Sequence, residues 1–372
     1  MDFNSRLSLA VISAVLIFLA LYFLLFPIFF SPTASTIPEG ESFASVQSPE
    51  GIQVVAESLS IPWEIAFLAS GEILATERTG NLIILSGNEK TAIPIDGVRH
   101  VGEGGLHGIA LHPDFTENKW IYLYFTSEIG GNLHNRVERF MLEENALSER
   151  TAIIEGIPAA SNHDGGRIAF GPDKMLYIGT GDAADSSLSQ GISSLAGKIL
   201  RLKDNGEIPE DNPFGNAVFS FGHRNVQGLA WDSSGNLWAT EHGPSGFDEL
   251  NFIEKGKNYG WPEIKGDESM PGMELPVIHS GQNETWAPAG IAFLNGSLFF
   301  GGLRGESVYE AEISGSRVTS LKRHFSREFG RIRAVSVSPD GLLFISTSNT
   351  DGRGTVREGD DKIIRLNPEI FR

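Results

Sequence analysis

Six times between residues 64 and 346 the chain repeats one pattern: a short apolar strand, a turn carrying Gly, Pro or Asp, then a second strand. The copies are Glu64–Phe67 with Glu72–Thr76, Gly108–Leu111 with Trp120–Phe125, and Arg167–Phe170 with Met175–Gly179. Then come Gly228–Trp231 with Asn236–Thr240, Gly290–Phe293 with Ser297–Gly301, and Arg333–Ser336 with Leu342–Ser346. Taking Ala66, Ala110, Ala169, Ala230, Ala292 and Val335 as equivalent, the steps are 44, 59, 61, 62 and 43 residues. Each step has room for four strands, the size of a propeller blade rather than of a sandwich strand. The pattern predicts an all-β, six-bladed β-propeller of four-stranded blades over residues 51–372. The small residue at the marked position suits strands that converge on a crowded axis. Gly51–Glu57 has no blade of its own and Lys362–Leu366 ends the chain, so one is expected to complete the sheet begun by the other. Two unequal β-domains would need a linker, and none interrupts the repeat.

The repeat also sorts the polar residues. Glu103, His163, Arg224 and Trp286 fall six or seven residues before the marked position, and Arg331 four before. Arg78, Asp182, Gly243, Arg304 and Thr350-Asp351 fall about twelve to sixteen after it. If each blade's innermost hairpin lines the channel, both sets open onto one face around its central mouth.

The densest stretch is Phe219–Pro262, where Gly228–Trp231 and Asn236–Thr240 read as a hairpin about the turn Asp232–Gly235. Arg224 and Asn225 precede its first strand; Gly243-Pro244 and Asp248-Glu249 follow its second. In a hairpin those two points lie at the same end, so a guanidinium, an amide, two carbonyls and two carboxylates are expected together. Carbonyls and carboxylates suit Ca²⁺, whereas Zn²⁺ wants His or Cys; solvated carboxylates after a strand are the plainer alternative.

His163, in Asn162-His163-Asp164-Gly165-Gly166, is the candidate general base, an imidazole beside glycines that let a ligand approach the backbone. His112, in a blade's outer turn, reads instead as a turn-stabilising side chain. Arg224, Arg304, Arg331 and Arg333, with Arg78 as a fifth, gather guanidiniums near the mouth of a chain whose net charge is −18. Such forks suit carboxylates or phosphates, and with no phosphate loop or dinucleotide fingerprint a polycarboxylate is at least as good a fit as a nucleotide. The overall charge excludes a nucleic-acid partner, and the absence of cysteine excludes thiolate and disulfide chemistry.

Residues 1–30 stand apart. Leu7–Phe30 is 24 residues without a charge, enough to cross a hydrocarbon core of about 30 Å and longer than the usual apolar region of a signal peptide. Arg6 before it, with Glu39 and Glu41 after it, predicts a single-pass membrane anchor with the main domain outside the cytoplasm. Residues 31–50, rich in Ser, Pro and Thr, read as a flexible linker.

The motifs GEGGLHGIALHPDF (102–115), NHDGGRIAFGPDKMLYIGTGD (162–182), GHRNVQGL (222–229), EHGPSGFDELNFIEKGKNYGWP (241–262) and GRIRAVSVSPDG (330–341) resemble the soluble quinoprotein sugar dehydrogenases. These are six-bladed enzymes dependent on pyrroloquinoline quinone (PQQ), and the similarity spans residues 51–367. The resemblance implies that His163 takes the proton from the anomeric hydroxyl, with Asp182 near it and Trp286 a wall of the site. It implies Arg224 and Asn225 beside the quinone oxygens, and Arg331 and Arg333 on the PQQ carboxylates, with Arg304 where the family has a lysine. It further implies the carbonyls of Gly243 and Pro244 on a calcium that polarises the quinone, and Glu249, Tyr259 and Asp248 at a second calcium. Glu103 replaces a glutamine that contacts sugar in the glucose enzyme. The glutamine expected after Asp182 has only Ser186, Ser187 or Gln190 as counterparts, and the long substrate-contacting insertions are missing. These departures favour a broader aldose reading: oxidation of C1 to the lactone, with a cytochrome or a membrane quinone as external acceptor. A propeller that only binds a ligand or protein, and a Ca²⁺-dependent lactone hydrolase, are the competing classes.

Overall fold

In the computed structural model, which describes residues 51–371, the repeat becomes six four-stranded antiparallel sheets. The predicted anchor and linker lie outside the described residues, and among the described residues no helix is long and apolar enough to cross a membrane. The inner strands are Pro62–Phe67, Leu106–Leu111, Ile168–Phe170, Val226–Trp231, Pro288–Leu294 and Ile332–Val337, and each contacts the next around a closed ring. The predicted hairpin forms with Leu229 opposite Ala239. Strand Ile52–Ala56 is the outer strand of the last sheet, with Ile52 opposite Leu366, so the first strand locks the last blade as the sequence predicts.

The strands carry apolar residues on both faces because each sheet is packed between two others. In Trp120–Ile129, Ile121, Leu123 and Phe125 pack with Leu74, Leu82 and Ile84 of the first blade. Tyr122 and Tyr124, pointing the other way, pack with Ile178 and Leu200 of the third. A period-two strand sandwiched on both sides has no polar face to show.

The marked alanines fill these spaces between blades; the tightest approach of neighbouring inner strands falls two residues earlier. A Cβ on Gly108 would lie 2.4 Å from the Gly166 carbonyl oxygen, one on Gly228 2.5 Å from that of Ala289, and one on Gly290 2.8 Å from the Val335 nitrogen. Neither neighbour can give way, since both belong to the ring. Gly228→Ala should therefore destabilise the protein by about 1–3 kcal/mol, the usual range for overpacking. Gly191→Ala, with nothing within 4 Å of the added carbon, should shift the denaturant midpoint little. Equal shifts would contradict this account of the axis.

Candidate active site

The position that must be glycine in three inner strands holds charge in the other three: Glu64, Arg167 and Arg333. Arg167 pairs with Glu64 and donates its Nε to the Gln227 carbonyl at 2.9 Å. Arg333 donates NH1 to Gln227 Oε1 at 2.7 Å. Both guanidiniums lie over the Trp63 ring, with centroid distances of 4.4 and 5.6 Å. Burial, with further repulsion from neighbouring guanidiniums, pushes both arginines down from their usual range. Of these residues Trp63, Gln227 and Arg333 line a cavity at the axis.

Every blade contributes to that cavity. Trp63, Glu103, Asp164, Gln227, His242, Ala287, Arg304, Arg331, Arg333 and Arg353 are among its walls, and Glu103, Arg304 and Arg331 are the ones that the spacing of the repeat places there. His163 stands beside it in the left-handed region, φ 62°. Its ring Nδ1 lies 2.7 Å from Asp182 Oδ1, and Asp182 Oδ2 accepts the Trp261 indole N–H at 2.9 Å. The His163 backbone N–H donates to Glu103 Oε2 at 3.0 Å, and its carbonyl accepts from Ala183. Ring and backbone are thus fixed independently. The wall at 183–197 is pinned from beneath by Lys198, whose buried ammonium donates to the carbonyls of Leu188, Ser189 and Ala196. In that wall Gln190 bonds the Trp261 carbonyl, while Ser187 turns back onto Asp185.

Several polar atoms around the cavity are buried without a partner: Asn225 Nδ2, Arg224 Nε, Arg333 Nε, Arg167 NH2, His242 Nε2 and Asp164 Oδ2. Four of these six are obligate donors. Buried donors are normally satisfied, so the set calls for a ligand rich in acceptors, and the surrounding guanidiniums call for an anionic one. Arg304, exposed at the rim, adds a further cation.

The 243–247 turn is tightly wound. Ser245, Gly246 and Phe247 all have positive φ, and a Cβ on Gly243 would meet the Gly246 and Phe247 carbonyls at 2.2 and 2.3 Å. Among the described residues no donor reaches the carbonyls of Gly243 or Pro244. Clustered carbonyls suit a hard cation. Asp248 is not free to join them: its carboxylate accepts the N–H groups of Gly243, Trp286 and Ala287 and the Thr285 hydroxyl.

Of the remaining expected site residues, Arg331 lines the cavity and the others lie further out. Trp286 packs its ring against Phe300 and Tyr309 in the core, and only its neighbour Ala287 reaches the cavity. The Tyr259 hydroxyl is spent on the Phe252 carbonyl and the Glu254 N–H, leaving only backbone for a metal. Glu249 lies directly opposite Glu241, and burial raises both carboxyls, Glu241 to about 7 and Glu249 further. Arg331 is held by Asp351 through two N–H groups, and Arg78 packs beside His100. His112 accepts the Asp114 N–H in an outer turn, as expected.

The family model for glucose/sorbosone dehydrogenases matches residues 59–364. The chain belongs to this family. It is 34% identical to the aldose sugar dehydrogenase YliI of Escherichia coli (strain K12), over 81% of this chain and 91% of that one. The PQQ-bound aldose sugar dehydrogenase of Streptomyces coelicolor superposes with a TM-score of 0.80 at 42% identity, over 85% of this chain and 97% of that one. The soluble aldose sugar dehydrogenase of E. coli in its apo form gives 0.77 at 32%, over 85% and 99%.

Sequence reasoning misses several residues in and around the cavity. Trp63, His107 and Gln227 each lie three residues before a marked position, and Glu64 and Arg167 two before, in the register of the expected Arg333. The register that identified the blades therefore held the signal for them. His242, which burial keeps neutral by lowering it to about 4, and Arg353 carry no such mark.

Asp164 supplies a pH test. Burial raises its carboxyl to about 6, although Asn135 and the Ala160 N–H pull the other way. Because the folded-state value lies above the unfolded one, the penalty is absent below about 4 and fully present above about 6. Asp164→Asn removes it, so the variant's stability relative to wild type should rise by up to about 3 kcal/mol between pH 4 and 7.5. Parallel denaturation profiles of the ligand-free proteins would refute the assignment.

Proposed function

We propose that the protein is a quinoprotein sugar oxidoreductase that oxidises C1 of aldoses to the lactone with PQQ and calcium. The observation that carries this reading is the pairing of His163 with Asp182, next to a cavity lined by guanidiniums, with orphaned donors on Arg333 in its wall and on Arg224 and Asn225 around it. The donor set fits a polycarboxylate quinone, and the PQQ-bound relative from Streptomyces coelicolor favours that cofactor over a nucleotide. Bound PQQ would supply the two-electron acceptor for the hydride leaving C1. Arg331, Arg333 and Arg304 would hold its carboxylates, and Arg224 and Asn225 its carbonyl oxygens. A calcium on the carbonyls of Gly243 and Pro244 would polarise it; a second would sit by Glu249 and the Tyr259 backbone.

With Asp182 accepting the proton on Nδ1, His163 presents a basic Nε2. That atom takes the proton of the anomeric hydroxyl while Asp182 stabilises the imidazolium. Trp261 keeps Asp182 from rotating, and Glu103 keeps the His163 backbone in its left-handed conformation. The sugar thus loses two electrons and two protons, and an external acceptor, a cytochrome or membrane quinone, must restore the cofactor. An anchor at residues 7–30 would hold this chemistry at the outer surface of the cell membrane.

The test is reconstitution of the purified protein with PQQ and Ca²⁺, followed by dye reduction with a panel of aldoses. Saturation at one PQQ per chain with sugar-dependent reduction is expected, and chelation of calcium should abolish it. PQQ binding without turnover of any sugar would instead support a propeller that binds without redox chemistry. His163→Ala should lower kcat by about 10²–10⁴-fold, the range for a general base, with the PQQ titration unchanged. Retained turnover would remove His163 from that role.

A further inference from the structure

Arg353 belongs to no element of the site predicted from sequence, yet it lines the cavity. Its NH1 donates to Glu103 Oε1 at 2.6 Å, while the other oxygen of that carboxylate accepts the His163 N–H. A single carboxylate therefore separates this guanidinium from the residue that carries the base. The loop beneath it is fixed: the Arg353 N–H is anchored on Asp351 Oδ1 at 2.9 Å, and Asp351 in turn grips Arg331. The Arg353 side chain is nevertheless 61% exposed, and among the described residues Glu103 is the one acidic group paired with it. The other N–H groups of its planar fork are left for something arriving from the mouth.

We propose that Arg353 is a carboxylate-binding subsite, and that the preferred substrates are aldoses bearing an acid group at the end remote from C1, the uronic acids. This rests on the sugar-dehydrogenase reading. With C1 at His163, the far end of a pyranose ring reaches past Glu103 toward Arg353. The free edge of the guanidinium can take a carboxylate in a two-point contact that a neutral hydroxymethyl group cannot match. Glu103 holds NH1 and so leaves Nε and NH2 as the edge of the fork open to a ligand. The deeper guanidiniums of Arg331 and Arg333 are buried and already bonded to Asp351 and Gln227, and the exposed Arg304 is assigned to the cofactor, which leaves Arg353 as the rim cation open to the sugar. The reaction itself is unchanged: two electrons and two protons leave C1 and its hydroxyl, and the acid group is untouched.

The experiment compares kcat/KM of the PQQ- and Ca²⁺-loaded protein for glucuronate and galacturonate with that for glucose and galactose. An acid-to-neutral ratio of about ten or more is expected, shrinking severalfold as salt is raised to about 0.5 M. Arg353→Gln should lower the ratio at least about tenfold and Arg353→Lys less, since lysine keeps the charge but not the fork. A wild-type ratio near one, or an unchanged ratio in Arg353→Gln, overturns the subsite. So does a variant whose only change is weaker PQQ titration, which would make Arg353 a cofactor contact. Calorimetric titration of glucuronate against glucose separates the two readings. Arg353-dependent glucuronate binding without turnover of any sugar supports the subsite and sinks the dehydrogenase; equal binding of both sugars sinks the subsite whatever the turnover.

Discussion

The buried excess of positive charge at the axis governs this molecule. Arg167 and Arg333 flank Trp63 in the channel, and Glu64 is the one carboxylate paired with them there. Gln227 contributes its carbonyl and amide oxygens but no charge. Desolvated guanidiniums without full compensation are costly, so the fold must hold them by force, and the force is ring closure. Once strand Ile52–Ala56 has sealed the last blade, no inner strand can retreat without opening a core on either side. The residual demand for negative charge then points upward, into the cavity.

Strain at the mouth follows the same logic. His163, Ala183, Ala184, Ser245, Phe247 and Ala287 all adopt positive φ without being glycine. Such conformations cost roughly 1–3 kcal/mol each and survive where their surroundings overdetermine them. Here the surroundings are identifiable. Glu103 and Ala183 hold the His163 backbone, and Asp248 gathers the N–H of Gly243 at the start of the 243–247 turn with those of Trp286 and Ala287.

Blade number, strand closure and convergence on one mouth were all legible because a repeat is a periodic signal, and period fixes which residues are equivalent. His163, Asp182, Arg224 and Arg331 could be placed from spacing alone. Trp286 shows the limit. It shares the register of His163, yet its ring turns into the core against Phe300 and Tyr309, because spacing fixes a backbone position and not a rotamer. Asp248 shows another: a carboxylate next to a suspected metal loop reads as a ligand, and only coordinates reveal that backbone amides already occupy it. Arg353 was invisible for a third reason. It lies in the loop 349–361, beyond the repeating hairpin, and meets Glu103 across 250 residues of sequence.

The fate of the carboxylates decides between the chemistries a propeller mouth can support. A lactone hydrolase of this architecture would need acidic side chains free to cage its metal and activate water. In this mouth the carboxylates are committed. Asp182 serves His163 and Trp261, Asp248 serves three backbone amides, Asp351 serves Arg331, and Glu103 serves His163 and Arg353. Apart from one oxygen of Asp164 and the His242 Nε2, what remains uncommitted is cationic or a bare donor: Arg304, Arg224 Nε, Arg333 Nε and Asn225 Nδ2. A chain that carries −18 overall thus spends its nearby anions on bracing and keeps its cations for the ligand. That division of labour suits an acidic cofactor held in place while a single imidazole moves the proton.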